Sequence, residues 1–177
     1  GRPVILEVKM QESVIAIEAA EVTATQQGEV MNEMATVSAR AFTVEETDRY
    51  AGSRGDPARM ASNFAGVQGA DDSRNDIVVR GNSPSGVLWR LEGVDIPNPN
   101  HFSIPGSGGG PVAILNNKVL ANSDFFTAAF PAEFGNSTSA VFDLRMRNGS
   151  QDRPVRSVQF GFLGAELMFE GALNREK

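Results

Sequence analysis

Two short apolar phrases, each reaching a glycine turn, constrain this chain most: Ile77-Val78-Val79-Arg80-Gly81 and Leu88-Trp89-Arg90-Leu91-Glu92-Gly93-Val94-Asp95-Ile96. Both have the β-branched and aromatic content of strands, and glycine supplies the positive φ of a tight turn. The stretch around and beyond the second phrase breaks regular structure. From Gly81 to Pro111 lie 7 of the 18 glycines and 5 of the 9 prolines. Asn98-Pro99-Asn100-His101-Phe102 and Gly106-Ser107-Gly108-Gly109-Gly110 can sustain neither a helix nor a central strand. A long exposed loop is therefore expected over 97–111, and loops of that length in compact domains usually carry function. Glu92-Gly93 reads as a two-residue hairpin turn between Val87–Leu91 and Val94–Ile96. Trp89 alternates with Val87 and Leu91 on one face, which makes it core.

Other elements are marked by local signals. Pro3–Gln11 alternates Val4, Leu6, Val8 and Met10 against Glu7, Lys9 and Gln11, the pattern of a half-buried strand. Thr43-Val44-Glu45-Glu46 is a capping box, and Gly52 is placed to end the helix it starts. Asp56-Pro57 opens a second helix, expected to reach about Phe64, with Met60 and Phe64 on one core-facing side. Gly69–Asp76 reads as a solvated polar loop whose aspartates lack calcium-loop spacing. Asn116 can cap one turn over Lys118–Ala121. Ser123–Ala128 reads as a strand with Phe125 and Phe126 on opposite faces. Ala140–Arg147 alternates Phe142, Leu144 and Met146 against Asp143, Arg145 and Arg147. Past Asn148-Gly149, Val158, Phe160 and Phe162 alternate with Ser157, Gln159 and Gly161, and after Gly164 the phase reverses to Ala165, Leu167 and Phe169 against Glu166 and Glu170.

Composition narrows the function classes. At 177 residues the chain fits one domain, with or without terminal extensions. With 41% hydrophobic and 21% charged residues it is globular rather than disordered. No run approaches the ~18 apolar residues of a spanning helix, and no signal-peptide pattern opens it. There is no cysteine, and the net charge of −6 argues against a nucleic-acid partner. A single histidine cannot supply a two-histidine metal site, and there is no G-x-S-x-G serine elbow. Pro111 stands where a phosphate-binding loop needs Lys-Ser/Thr, and no carboxylate pair is marked as acid and base. No enzymatic activity, metal or cofactor is expected. Of 16 cationic residues 13 are Arg, which suits enclosed, multidentate ion pairs and equally reflects codon usage.

The order Ile77–Gly81, Leu91–Asp95, Phe130-Pro131-Ala132-Glu133-Phe134-Gly135 and a strand through Val141–Arg147 resembles the plug domain of TonB-dependent outer-membrane receptors. Glu92 replaces the family's usual Asp before glycine. Ser139–Arg147 lacks the glycine pair of siderophore receptors, which brings it closer to the Bacteroidetes branch. The resemblance implies an α+β fold, a small mixed β-sheet with short flanking helices and long loops. It divides the chain into a terminal strand of a truncated upstream carboxypeptidase-regulatory-like β-sandwich (1–13), a linker (14–27), the plug (28–150) and the start of an outer-membrane β-barrel (151–177). The implied role is a gate occluding the barrel during energised import of a bulky nutrient across the outer membrane of a Gram-negative bacterium.

The same resemblance implies partners and sites. Ile17, Glu18, Glu21, Val22 and Thr23 lie where a TonB-like energising protein would capture the chain by strand addition; a plain linker or a short helix is the other reading of that segment. Arg80 would lock onto carboxylates of the receptor's own C-terminal barrel, or is simply an exposed strand-end charge. Asn98, Asn100, His101 and Phe102 would contact substrate at the plug apex, with a surface lipoprotein as a further partner, or form a structural loop. The apolar residues of 155–173 would face lipid and, without it, are expected to be disordered or paired with another chain. From a different class, a soluble cell-envelope ligand-binding or adhesion module using loop 97–111 would show much of the same pattern.

Overall fold

The computed structural model describes residues 1, 30, 32, 34, 35, 38–50, 52–161 and 164–172. The expected strand at 3–11 and the partner-capture segment with Ile17, Glu18, Glu21, Val22 and Thr23 lie outside the described residues. In chain order the elements are β1 (Ala39–Phe42), α1 (Val44–Arg49), α2 (Pro57–Ala61), β2 (Val67–Gly69), β3 (Ile77–Val79), β4 (Val87–Leu91), β5 (Val94–Ile96), β6 (Asn100–His101), β7 (Val112–Ala113), β8 (Ser123–Phe126), β9 (Ala140–Leu144), β10 (Val155–Gly161) and β11 (Gly164–Glu170). Single 3₁₀ turns occupy Pro84–Gly86 and Asn117–Val119.

Five strands form the central sheet in the order β1-β8-β9-β4-β5. Every neighbouring pair is antiparallel except β4 and β9, which run parallel. A parallel pair needs a crossover of a dozen or more residues, and here the connection from β4 to β9 carries β5, the glycine-rich loop and β8. The architecture is α+β: a mixed sheet with short helices and long loops.

Alternation along the strands separates two cores. Phe125, Phe142, Leu144, Trp89 and Phe42 point to one face and meet Met60, Ala58, Ala61, Ile77 and Val79 from α2 and β3. Phe126 and Val141 point to the other face and meet Phe134 with Leu88, Ala39 and Phe130. One cross-strand row organises the larger core, since Arg40, Phe125, Phe142, Trp89 and Ile96 are successive register partners. Trp89 stacks on Phe142 with ring centroids 4.1 Å apart and planes 4° from parallel. Phe125 lies 4.4 Å from Phe142 on the other side. Arg40 ends the row 4.4 Å above the Phe64 ring, an arrangement in which the ring's quadrupole attracts the guanidinium.

Both helix starts form as the sequence implies. The Thr43 hydroxyl accepts from Glu46 N, and the Glu46 carboxylate accepts from Thr43 N, each at 3.1 Å. At α2, Asp56 Oδ1 accepts from Ala58 N at 2.9 Å and Pro57 takes the first helical position. The helix ends at Ala61, short of Phe64, because Asn63, Phe64 and Val67 continue in tight i→i+3 turns. Glu92-Gly93 closes the β4–β5 hairpin with φ of 52° and 78°. Arg80-Gly81 repeats this chemistry with φ of 51° and 80°, so Arg80 is a left-handed turn residue beyond strand β3. Met146 falls outside β9 and is exposed, which breaks the alternation expected through Arg147.

Truncating Phe142 to Ala would remove, at a fully buried site, the ring that both Trp89 and Phe125 contact. We expect a loss of about 3–5 kcal/mol in urea unfolding, against about 1 kcal/mol or less for a change at exposed Arg80.

Candidate functional site

The glycine-rich loop is built around one buried amide. Asn75, in the turn between β2 and β3, is 3% exposed. Its Nδ2 donates to Asp56 Oδ2 at 2.7 Å and to Asn100 Oδ1 at 2.5 Å. Its Oδ1 accepts from Gly110 N at 2.7 Å, and its backbone N donates to Gly110 O at 2.9 Å. Beside it, Arg74 pairs with Asp76 at 2.7 Å and donates to Gly109 O at 2.9 Å. Only glycine fits here: a Cβ on Gly109 would lie 2.6 Å from Asp76 N. In the turn over 69–76, Gly69–Ser73 are exposed as expected, whereas Asn75 and Asp76 are buried under the loop and serve this internal network.

The four loop residues singled out in the sequence divide into two pairs. Asn98 and Asn100 face inward: Asn100 Nδ2 donates to Asn98 Oδ1 at 2.7 Å, and Asn98 Nδ2 donates to Ser107 O at 3.1 Å. His101 and Phe102 face outward, their rings 6.0 Å apart. Phe102 is 83% exposed at a φ of 55°, a left-handed conformation unusual for an aromatic residue. Ile104, Val112 and Ile114 are also exposed, giving the loop an apolar tip on a rigid base.

A second surface lies on β10 and β11, which pair as an antiparallel hairpin matching Val158 with Leu167 and Phe160 with Ala165. Val158, Phe160, Leu167 and Phe169 are exposed on one face. The polar face meets the rest of the domain. Lys118 Nζ lies 2.6 Å from Gln159 Oε1 and 2.8 Å from Glu166 Oε1. Arg147 grips both oxygens of Glu170 at 2.6 and 2.7 Å. Residues 155–161 and 164–170 thus pair with each other and meet the domain through ion pairs, in place of the disorder that was one of the two expectations. Ion pairs supply the docking that apolar contact does not. Phe162 lies outside the described residues.

Arg80 stands apart from this arrangement. It is exposed and donates to Ser38 Oγ and Thr127 Oγ1 at 3.3 and 3.4 Å, and no carboxylate among the described residues pairs with it. Lys118 and Arg147, not singled out in the sequence, are the cations that hold the hairpin. Their signal was present in Gln159, Glu166 and Glu170 sharing one face, but the cations that meet that face come from other segments.

Three carboxyls carry opposite pH dependences. Hydrogen bonds from Arg147 hold Glu170 below the ordinary range. Burial raises Asp56, against hydrogen bonds from Asn75 and Ala58, and raises Asp143, against the charges of Arg145 and Arg90. A depressed acid stabilises above its unfolded value and loses that contribution as pH falls through its folded value; a raised acid favours the fold toward acid. Acidification through the depressed Glu170 value, which lies below the ordinary 4.5, should therefore undock the hairpin while the buried carboxyls still favour the folded sheet. Arg147→Ala should produce the same undocking at neutral pH. Protection factors over 155–161 and 164–170, taken against the intrinsic exchange rate at each pH, would fall in both cases, with those in β8 and β9 unchanged.

Neither a protein-family model nor a curated protein matches the chain. Among solved structures, the fold is similar to the crystal structure of the outer membrane transporter YddB from Escherichia coli, with a TM-score of 0.50 and 18% identity. The match covers 64% of this chain and 17% of that one, so the chain spans about a sixth of the transporter's length. The fold is therefore plug-like α+β, similar to part of an outer membrane transporter.

Proposed function

We propose that this chain is the plug region of a TonB-dependent outer-membrane transporter, joined to the first strands of its barrel. One observation carries the reading: the β10–β11 hairpin turns its polar face to the domain and its apolar face outward. Water favours the opposite arrangement. Leaving a large apolar side chain in water forgoes roughly 1.5–3 kcal/mol, and Val158, Phe160, Leu167 and Phe169 are all exposed. A strand pair lining a barrel in lipid has this polarity, apolar outside and polar inside. The plug-like fold supports the same reading.

In this reading the sheet and helices occlude the barrel. The tip with His101, Phe102 and Ile104 meets an incoming bulky nutrient, with a surface lipoprotein as a further partner. Residues 17–25 are the segment that a TonB-like protein captures by strand addition. The chain acts by gating and has no chemical step. Arg80 would meet a barrel carboxylate only from further strands, whereas Lys118 and Arg147 hold the first hairpin.

The test uses the gene with its downstream sequence. Deleting residues 38–147 from the full-length receptor should leave a pore that admits a large antibiotic normally excluded by the outer membrane. Phe160→Arg with Phe169→Arg should impair outer-membrane assembly, because an Arg on a lipid face costs about 2–4 kcal/mol at mid-bilayer. A deletion that leaks nothing, or a double variant that assembles normally, would point to a soluble envelope module. Val22→Pro, which removes an N–H and fixes φ, should abolish energised uptake while substrate binding at the cell surface persists. Normal uptake would place the capture segment elsewhere.

A further inference from the structure

We propose that Asn100, Asn75 and Asp56 form a buried relay that couples the conformation of the exposed loop to helix α2. This coupling lies within the chain and does not rest on the transport reading.

The relay starts at β6. Asn100 directly precedes His101 and Phe102 and is 7% exposed, so movement of the outward pair must pass through an inward one. Asn100 Oδ1 accepts one Asn75 Nδ2 hydrogen, and Asp56 Oδ2 accepts the other. The remaining oxygen of Asp56 accepts from Ala58 N at the start of α2. One carboxylate therefore caps the helix and anchors the amide that holds the loop.

The side-chain amide of Asn75 has no slack. Both hydrogens are donated, and Oδ1 accepts from Gly110 N on the returning arm of the loop. In a low-dielectric interior, displacing either arm leaves a buried donor or acceptor unsatisfied at its full desolvation penalty. Gly109 packs against the backbone of Asp76 so closely that the arm cannot slide over 75–76 without moving them. Asn75 can follow the loop only by turning its second hydrogen away from Asp56. Loop and helix cap thus share one set of hydrogen bonds, and by linkage whatever biases one biases the other.

Hydrogen exchange on the full chain tests the relay. Asn100→Ala cuts it on the loop side and frees Asn75 to turn away from Asp56; exchange at Ala58 and Met60 should speed about tenfold, the loss expected once that Asn75 bond to the charged Asp56 gives way. Exchange in the β8–β9 ladder at Phe125 and Phe142 should stay at the parent rate. Asp56→Ser keeps a hydroxyl cap for Ala58 N but removes the oxygen that holds Asn75. It should speed exchange at Gly110, and adding Asn100→Ala to it should cause no further change in α2. Equal acceleration in α2 and in β9 would mean ordinary global destabilisation and overturn the proposal, as would unchanged exchange at Ala58 and Met60. If Asn100→Ala does not fold, Asp56→Ser decides alone: Gly110 exchange at the parent rate refutes the relay.

Discussion

The stack of Trp89, Phe142 and Phe125 across three adjacent strands is the contact on which the rest of the molecule depends. Phe142 lies on β9, the sheet's middle strand, and its register partners bring in β4 on one side and β8 on the other. The β4–β9 pair is the sheet's parallel one, and its long connection yields no contact energy until its ends meet. Near-parallel rings 4.1 Å apart combine large buried area with a fixed register. A slip of one residue would turn Phe142 to the opposite face and put Asp143 in its place. Once β4 and β9 are aligned, α2 and β3 have a surface to cover and the glycine-rich loop has defined ends.

Charge is placed where apolar packing stops. Asp124 and Asp143 are register partners on the face opposite the aromatic row, and Arg90 is the next partner beyond Asp143. Arg90 reaches Asp95 at 2.9 Å and Glu133 at 3.4 Å, and lies 4.5 Å from the Phe134 ring. Asn32 N donates to Asp124 at 2.9 Å, which places Asn32 on this face. The same economy governs β10 and β11, where Lys118 and Arg147 hold a hairpin that buries little apolar surface. The excess of Arg over Lys is used here, since a planar fork can satisfy both oxygens of Glu170.

The loop and the hairpin are opposite solutions to exposing apolar side chains. At the loop, Phe102 and Ile104 project from a base made rigid by buried hydrogen bonds, so presenting them costs little further ordering entropy. On the hairpin, an entire strand face is presented, and the rigidity comes from ion pairs underneath. Both rest on polar contacts made between segments far apart in sequence: Asn75 with Gly110, and Arg147 with Glu170.

The sequence by itself determined what depends on neighbours a few residues away. The Thr43–Glu46 box, the Asp56-Pro57 start, the Glu92-Gly93 turn, the opposed faces of Phe125 and Phe126, and the alternation along 155–170 are all short-range, governed by backbone geometry and a period of two or of three to four residues. Much of the α+β layout was legible on those terms, whereas the short β6–β7 pair at Asn100–His101 and Val112–Ala113 was not, because two residues carry no period. The tertiary structure alone decided which polar residues serve the interior. Gly69–Asp76 reads as a solvated turn because polar composition carries no record of what will cover it; Asn75 became a hub only when Asn100 and Gly110, distant along the chain, arrived beside it. Asn98 and Asn100 looked equivalent to His101 and Phe102 for the same reason, since in a loop without a period nothing local says which side chains turn in. Lys118 and Arg147 were silent because an ion pair is a relation between two positions, and only folding brings those positions together.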